Sequence, residues 1–237
     1  VLSCFGLTES LTGERLTGID RAFPGVRLGL RAKFPEIQVK LYAAGGDAEE
    51  VDARLAQAET WARERLGDIV FSDAGESMAE AVGRLLRARG ASLALAESCT
   101  GGLIAHWLTE TPGSSDYFLF SAVTYSNASK VRVLGVSEET LQRCGAVSEE
   151  TAAGMAAGAR RAAGAACGLA TSGIAGPSGG SPEKPVGTVC IGLAAGDRTL
   201  AWRFQYTYTG RSMYKQGFAM KALDILRREL LGLPHAP

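Results

Sequence analysis

The sequence predicts an α/β fold: a three-layer α/β/α sandwich around a mostly parallel mixed sheet, preceded by a small α+β domain. From about Ser77 onward, short apolar runs alternate with helical patterns, which is typical of helices that cover both faces of a parallel sheet. Two late apolar runs are joined by the turn Gly196-Asp197, and this hairpin makes the sheet mixed. Residues 1–75 instead follow a β-α-β-β-α-β order, which predicts a split-βαβ plait.

The small domain over residues 1–75 shows no functional site of its own. Pro24 and Gly25 end its first helix, and Pro35-Glu36 makes the turn between two alternating strands. We find no nucleophile, metal cluster or glycine-rich phosphate loop there, so a packing or spacer domain is the favoured interpretation. The predicted elements are a strand over 1–6, a helix over 8–23, strands over 26–34 and 37–43, a helix from Asp47 to about Leu66 and a strand over 69–71.

The larger domain, residues 77–237, carries the alternation of strands and helices. Its strand over 117–125 is apolar and aromatic, which predicts a buried position, and the Ala- and Gly-rich helix over 152–166 is expected to pack closely on a neighbour. The remaining predictions are helices over 78–89, 103–111 and 211–231, helices that begin after Ser126-Asn127, Ser137 and Ser148, and strands over 93–96, 168–172, 186–193 and 200–206.

Composition limits the function classes. The chain has 237 residues, a formal net charge of +0 and no long basic run, which argues against a dedicated nucleic-acid surface. Its 5 cysteines are scattered without C-x-x-C spacing, so we expect free thiols in a reducing cytosol and neither disulfides nor zinc. No apolar run could span a bilayer and no signal peptide is visible, which predicts a cytoplasmic protein without membrane contact. The chain begins at Val1 inside a predicted strand, so we expect a piece of a longer protein.

The stretch from Ala94 to Gly102 predicts a strand that runs into a tight turn and then a helix. Ser98 lies where the strand ends, and the backbone N–H groups of Cys99, Thr100, Gly101 and Gly102 are candidates for binding an anion or a developing oxyanion. A small nucleophile beside such donors is what acyl transfer requires. The alternative is that Ser98 or Thr100 merely caps the helix.

The general base for Ser98 has few candidates. His106 lies within a helix and His235 in a tail that we expect to be frayed. Neither histidine is therefore well placed to act as the base of a Ser-His-Asp triad. Lys130 follows a predicted buried strand, where desolvation would lower its pKa and make a neutral amine available. Cys99 is a rival nucleophile at a helix N-terminus. Glu97 is expected to orient Lys130 or to bind a substrate hydroxyl, or else to be a capping carboxylate.

Ligands of such sheets bind at the carboxyl ends of the parallel strands, where three segments are expected to meet. They are the turn at Ser98, the segment 125–130 and the glycine loop that follows Ser172. The loop matches neither Walker A nor G-x-G-x-x-G, but its glycines allow close approach to a ligand. Arg211 opens the last helix and could hold a phosphate. The expected substrate contacts are Tyr125, Asn127, Gly173, Gly176, Gly179, Gly180 and Arg211.

Five ordered motifs in the larger domain resemble the CinA C-terminal family. The resemblance covers roughly residues 77–231, and residues 1–75 resemble the small KH-like linker domain that precedes this module in full-length CinA proteins. None of the given residues resemble the larger, molybdopterin-binding-like N-terminal domain of those proteins. The motifs are A-E-S-C-T-G-G (96–102), V-T-Y-S-N-A-S-K (123–130), G-A-V-S-E-E-T (145–151), S-G-I-A-G-P-S-G-G (172–180) and E-K-P-V-G-T-V (183–189).

The resemblance implies hydrolysis of nicotinamide mononucleotide (NMN) to nicotinic acid mononucleotide and ammonia, without a cofactor or metal. It implies Ser98 as nucleophile, Lys130 as general base and Ser172 as a second hydroxyl. The family's G-D-R motif corresponds to Thr209-Gly210-Arg211, which lacks the Asp. A homodimer is expected because family members commonly assemble. The alternatives are a catalytically silent nucleotide-binding module of a larger CinA assembly and an RNA binder based on residues 1–75, which the neutral charge disfavours.

Overall fold

A computed structural model describes residues 1–235 of the chain. The chain divides into two compact units, Val1–Met78 and Ala79–Pro237, and each is described here by itself.

The first unit has a four-stranded antiparallel sheet in the order β2-β3-β1-β4, which is the arrangement of a split-βαβ plait. The predicted helix over 8–23 is two helices, because Gly18 adopts a left-handed φ of 90° between them. Leu16, Val39 and Leu66 are among the core residues that the sheet and helices enclose. The elements are β1 (Leu2–Cys4), α1 (Glu9–Arg15), α2 (Ile19–Ala22), β2 (Val26–Lys33), β3 (Glu36–Ala43), α3 (Ala48–Leu66) and β4 (Val70–Ser72).

The second unit confirms the predicted three-layer sandwich. Its five-stranded sheet has the order β6-β5-β7-β8-β9, and four of the five strands run in the same direction because only β8 is antiparallel to both neighbours. The elements are α4 (Met78–Ala88), β5 (Leu93–Glu97), α5 (Leu103–Thr109), β6 (Phe118–Val123), α6 (Asn127–Leu134), α7 (Glu138–Cys144), α8 (Glu149–Ala163), β7 (Cys167–Gly173), β8 (Thr188–Ala195), β9 (Arg198–Gln205) and α9 (Arg211–Leu231).

Helix α8 packs closely on the sheet, as its small residues predict. A Cβ atom at Gly168 of β7 would collide with the backbone carbonyl of Ala156, and one at Gly192 of β8 with that of Ala152. Glycine at these two positions therefore lets the helix backbone approach the strands directly. Ser126, Ser137 and Ser148 cap α6, α7 and α8 through their hydroxyls, again as predicted.

Strand β6 corrects one prediction. It is apolar and aromatic, yet it forms the edge of the sheet, and alternate side chains are exposed. Leu119 and Val123 each retain 51% of their accessible surface. Apolar composition alone cannot separate a central strand from an edge strand, because the difference lies in which neighbour covers it.

His106 lies within α5 as predicted, whereas His235 differs from expectation. His106 is exposed and lies 3.5 Å from Glu110. His235 does not fray: its ring packs on Trp202 and its Nε2 lies 3.1 Å from a carboxylate oxygen of Glu229. Within residues 1–235, no helix is long and apolar enough to cross a membrane.

Candidate active site

The carboxyl ends of β5, β6 and β7 meet at one edge of the sheet, as the strand order requires. A cleft of about 270 Å³ opens there. All three segments expected at this edge contribute to it, together with the loop between α7 and α8 and the start of α9. The lining residues are Ser98, Cys99, Tyr125, Lys130, Ala146, Val147, Ser172, Gly173, Ile174, Ala175, Gly176, Ser178, Gly179 and Arg211.

Ser98 and Lys130 form a direct side-chain pair in the cleft. The Lys130 Nζ lies 3.1 Å from the Ser98 Oγ, 2.7 Å from the Thr124 carbonyl and 3.5 Å from the Tyr125 carbonyl. A neutral amine has two N–H bonds and one lone pair. If the N–H bonds point at the two carbonyls, the lone pair is left for the proton of Ser98. This arrangement suits proton removal from the hydroxyl.

The environment of Lys130 favours the neutral amine. Its side chain is fully buried within α6 behind β6. Burial lowers the pKa of Lys130 below its usual value, because a charged ammonium loses its hydration there, and the nearby Cys99 thiol opposes part of the shift. The direction agrees with the sequence-based expectation. Neither Glu97 nor Arg211 is among the causes of this shift in the pKa of Lys130.

Cys99 is a poor nucleophile in this structure. Burial raises the pKa of its thiol to about 12, since a thiolate would be desolvated. Its Sγ lies 3.1 Å from the position that a Cβ at Gly173 would occupy, so the thiol packs against the start of the glycine loop. The side chain lines the cleft as a small apolar group.

Glu97 caps α5 and does not contact Lys130. Its fully buried carboxylate accepts hydrogen bonds from the N–H groups of Gly102, Ile104 and Ala105 at 3.0, 3.2 and 2.9 Å. The helix N-terminus that was expected to receive an external anion is therefore already occupied. Of the roles considered for Glu97, the structure shows the capping carboxylate, and the buried Glu97 side chain does not line the cleft.

Some backbone N–H groups of the turn after Ser98 are already used as hydrogen-bond donors and cannot serve an oxyanion. Gly102 donates to Glu97, and Gly101 donates to the Ser98 carbonyl at 3.1 Å, so these two are not available to an oxyanion. The N–H groups of Cys99 and Thr100 donate to no oxygen atom within residues 1–235, and both point toward the Cys99 sulfur, which an oxyanion would have to replace as their acceptor. The hydroxyl of Thr100 pairs with that of Thr171 at 2.8 Å and caps nothing. The candidates for an oxyanion site are thus reduced to the amides of Cys99 and Thr100.

Ser172 lines the cleft, but its hydroxyl has a structural partner. The Ser172 Oγ donates to the carbonyl of Ala146 at 2.6 Å and is buried. This bond ties β7 to the loop between α7 and α8. A direct bond from Ser172 to Ser98 or Lys130 is not present in the described chain, so a proton relay through Ser172 would need a rearrangement or a water.

Arg211 joins two walls of the cleft. It is the first residue of α9, and it donates to the Gly176 carbonyl at 2.7 Å and to the Tyr125 hydroxyl at 2.9 Å. Since a guanidinium has five N–H donors, it can hold both groups and still bind a ligand oxygen. The missing Asp of the motif does not prevent Arg211 from reaching the cleft.

Two expected substrate contacts lie elsewhere. Asn127 is exposed in the first turn of α6 and does not line the cleft. Gly180 packs against the backbone of Pro185 and Val186, where a Cβ would meet the Val186 nitrogen at 2.8 Å. The sequence reading missed the carbonyl of Thr124 and the residues Ala146 and Val147. A sequence does not show which backbone carbonyls contact a side chain. Ala146 and Val147 lie within the motif G-A-V-S-E-E-T (145–151), but no site role was predicted for them.

The fold and site together define an α/β protein with a buried Ser–Lys pair at the carboxyl ends of parallel strands. Residues 75–230 match the family described as CinA C-terminal domain, and residues 1–72 match the Damage-inducible protein CinA KH domain. The chain belongs to the CinA family. No cluster of three or more His, Cys, Asp or Glu that could hold a metal occurs in the part of the chain that the structure describes.

Relatives and solved structures agree with this membership. A CinA-like protein of Desulfosudis oleivorans is 55% identical over 230 residues, which cover 97% of this chain and 56% of the relative. A CinA-like protein of Geobacter metallireducens is 48% identical and is covered to 55%. The chain thus spans about half the length of the curated relatives it matches.

Two crystal structures resemble the second unit. Competence/damage inducible protein CihA from Agrobacterium tumefaciens is 41% identical with a TM-score of 0.60, and the match covers 64% of this chain and 94% of that one. A CinA superfamily protein from Klebsiella pneumoniae is 33% identical with a TM-score of 0.63, and the match covers 66% and 99%.

Proposed function

We propose that this protein hydrolyses the carboxamide of NMN to nicotinic acid mononucleotide and ammonia. The observation that carries the proposal is the 3.1 Å contact between the Ser98 hydroxyl and the buried Lys130 amine in the cleft. That pair supports acyl transfer from an amide. The choice of NMN among amides rests on the sequence resemblance to CinA C-terminal modules.

The reaction begins with attack of the Ser98 Oγ on the carboxamide carbon, while the Lys130 amine takes the hydroxyl proton. The amides of Cys99 and Thr100 are the donors proposed for the resulting oxyanion. The C–N bond then breaks, and the Lys130 ammonium returns its proton to the departing nitrogen, which leaves as ammonia. Water attacks the Ser98 ester with Lys130 again as base, and the carboxylate product leaves with the serine restored.

The rest of the cleft suits a nucleotide. Tyr125 supplies an aromatic side chain to the cleft that holds the Ser98–Lys130 pair, and Arg211, which donates to the Tyr125 hydroxyl, supplies a positive charge. The glycine loop, whose Gly176 carbonyl also accepts from Arg211, allows close approach of a phosphate or ribose. We place the pyridine ring next to Ser98 and the phosphate near Arg211.

The test is release of ammonia from NMN by the purified chain, with Ser98→Ala as the matched control. Ammonia above the Ser98→Ala level, together with nicotinic acid mononucleotide, supports the proposal. Binding of NMN without release, at enzyme concentrations comparable to substrate, would instead identify a silent nucleotide-binding module.

A further inference from the structure

Two of the five sequence motifs supply none of the predicted catalytic or substrate-binding residues. They are G-A-V-S-E-E-T (145–151) and E-K-P-V-G-T-V (183–189). In the structure the first motif forms the loop between α7 and α8 and the start of α8, and the second forms the end of the glycine loop and the start of β8. The two motifs meet at Lys184, whose Nζ lies 3.7 Å from the position that a Cβ at Gly145 would occupy.

Three consecutive carbonyls at the junction of α7 and the α7–α8 loop accept hydrogen bonds from side chains. The Cys144 carbonyl accepts from the Lys184 ammonium at 2.7 Å, and the Ala146 carbonyl accepts from the Ser172 hydroxyl at 2.6 Å. The Gly145 carbonyl between them accepts from a threonine hydroxyl of α8 at 2.8 Å. Bonds at three successive peptide units hold the backbone of this segment in one conformation.

The three donors come from different parts of the second unit. Ser172 lies near the end of β7, and the threonine hydroxyl belongs to α8, directly after the loop. Of the three, only Lys184 belongs to the glycine loop, residues 174–187, which supplies the cleft lining between Ile174 and Gly179. The Lys184 bond therefore joins two walls of the cleft.

The turn that carries Lys184 is itself fixed. The N–H of Ser181 donates to the Lys184 carbonyl at 2.9 Å, and the N–H of Lys184 donates to the Ser181 carbonyl at 3.2 Å. Arg203 of β9 donates to the carbonyl of Glu183. The side chain of Lys184 thus extends from a turn that is attached to the sheet, and its ammonium can act as a fixed point for the neighbouring loop.

Lys184 lies on the outer side of the wall that it holds. Val147 lines the active-site cleft and also a second depression of about 250 Å³, whereas Lys184 lines only the second of these two. The residues around this depression are Cys144, Val147, Ser148, Glu149, Glu150, Lys184 and Arg203. Any effect of Lys184 on a ligand of the active-site cleft therefore passes through the loop.

We propose that Lys184 is a positioning residue that binds the α7–α8 loop to the glycine loop and so fixes the width of the active-site cleft. The inference rests on the proposed function in taking NMN as the ligand. Ser98 and Lys130 lie at the end of β5 and in α6, so their contact does not depend on this bond. Without it, a ligand has to order the wall formed by Ala146 and Val147, and that cost falls on binding and not on the chemical step.

The first test is steady-state release of ammonia from NMN by variants of Lys184. Lys184→Met should raise KM roughly 3- to 10-fold, because the wall must be ordered on binding, and should leave kcat within about two-fold. The acidic limb of the pH profile should not move, since Lys130 keeps its partners. Lys184→Arg should keep a KM within about two-fold of the wild type, because a guanidinium can donate to the same carbonyl.

Arg143→Met is the matched control. Arg143 is exposed in the last turn of α7, and its Nε lies 3.5 Å from the Cys144 Sγ. The control removes the same charge from the same helix end but breaks no bond to a loop carbonyl, so its KM should equal that of the wild type. A rise in KM as large as that of Lys184→Met would assign the effect to the helix end and overturn the proposal.

Trypsin cleavage after Arg143 tests the same bond without the reaction. The variants at Lys184 remove no trypsin site, because Pro185 follows and protects that peptide bond. Lys184→Met should be cut after Arg143 several-fold faster than the wild type and Lys184→Arg, since the end of α7 opens more often.

The outcomes separate the two proposals. Equal cleavage of Lys184→Met and the wild type contradicts the role of Lys184, whether or not NMN is a substrate. Faster cleavage with an unchanged KM also contradicts it, because the bond would then serve only the stability of the loop. If the wild type releases no ammonia, the amidase proposal alone fails, and the cleavage rates still decide whether Lys184 holds the loop.

Discussion

The chemistry proposed for Lys130 depends on a residue type that is normally charged at neutral pH. An unperturbed lysine titrates near ~10.4, so almost no neutral amine would be present. In this fold the side chain is buried and contacts two carbonyls and one hydroxyl, and among residues 1–235 it pairs with no carboxylate. Desolvation therefore lowers the pKa of Lys130, which increases the fraction of neutral amine at a given pH.

We expect kcat/KM to rise with pH along an acidic limb that reports Lys130. The neutral amine is the active form, so activity is lost as pH falls through the lowered pKa of Lys130, and the inflection should lie below about 10.4. Lys130→Arg keeps the charge but cannot supply a neutral base, so it should be nearly as inactive as Lys130→Ala. The measurement is the pH profile of ammonia release. Retention of most activity by Lys130→Arg would assign the residue a positioning role.

Ser98 and Cys99 are adjacent, and we expect only Ser98 to act as the nucleophile. Ser98→Ala should lower kcat on the order of 10³-fold or more, because it removes the attacking atom. Cys99→Ala should keep most of the activity, since the buried thiol has a pKa of about 12 and does not ionise at neutral pH. Steady-state kinetics of both variants checks this. Inactivation of the wild type by a thiol reagent to which Cys99→Ala is resistant would reverse the assignment.

At the scale of elements, the approach of α8 to the sheet places the loop that precedes it over the cleft. The helix begins after Ser148, and the loop before it supplies Ala146 and Val147 to the lining. Gly168 and Gly192 set the depth of that approach, because any side chain would meet the helix backbone. The bond from Ser172 to Ala146 then fixes the loop itself.

Gly168→Ala should lower the free energy of unfolding by about 1–3 kcal/mol, because the added Cβ overpacks against the Ala156 carbonyl. Gly154→Ala is the matched control within α8. Its Cβ would make an ordinary contact of 3.6 Å with Val136, and alanine favours a helix interior by roughly 0.5–1 kcal/mol. Urea denaturation of both variants measures the difference. Equal stability would mean that the strand can shift without cost.

At the scale of the whole molecule, the residues of the candidate active site all lie in the second unit. The crystal structures of the Agrobacterium and Klebsiella relatives consist almost entirely of the matching region, at 94% and 99% of those chains. A unit with its own core and complete site is expected to fold alone.

A fragment that begins at residue 77 should therefore fold cooperatively and release ammonia with a kcat/KM within about two-fold of the whole chain. Thermal unfolding and ammonia assays of the two proteins provide the comparison. A folded but inactive fragment would show that residues 1–76 contribute to catalysis.

The sequence by itself determined the order of elements and the segments that meet at the site. Spacing of apolar residues, serine caps and glycine stops act over a few residues, so α9 was predicted over 211–231 and occurs at Arg211–Leu231. The turn at Ser98, the segment with Lys130 and the glycine loop follow from strand ends, which parallel strands bring to one edge.

Tertiary structure alone decided which polar groups are free and which are occupied. Glu97 reaches three N–H groups up to eight residues away, and Ser172 reaches the Ala146 carbonyl across 26 residues. The exposure of alternate β6 side chains depends on which strands have neighbours. These properties arise from distances between residues that are remote in the chain, and local patterns carry no information about such distances.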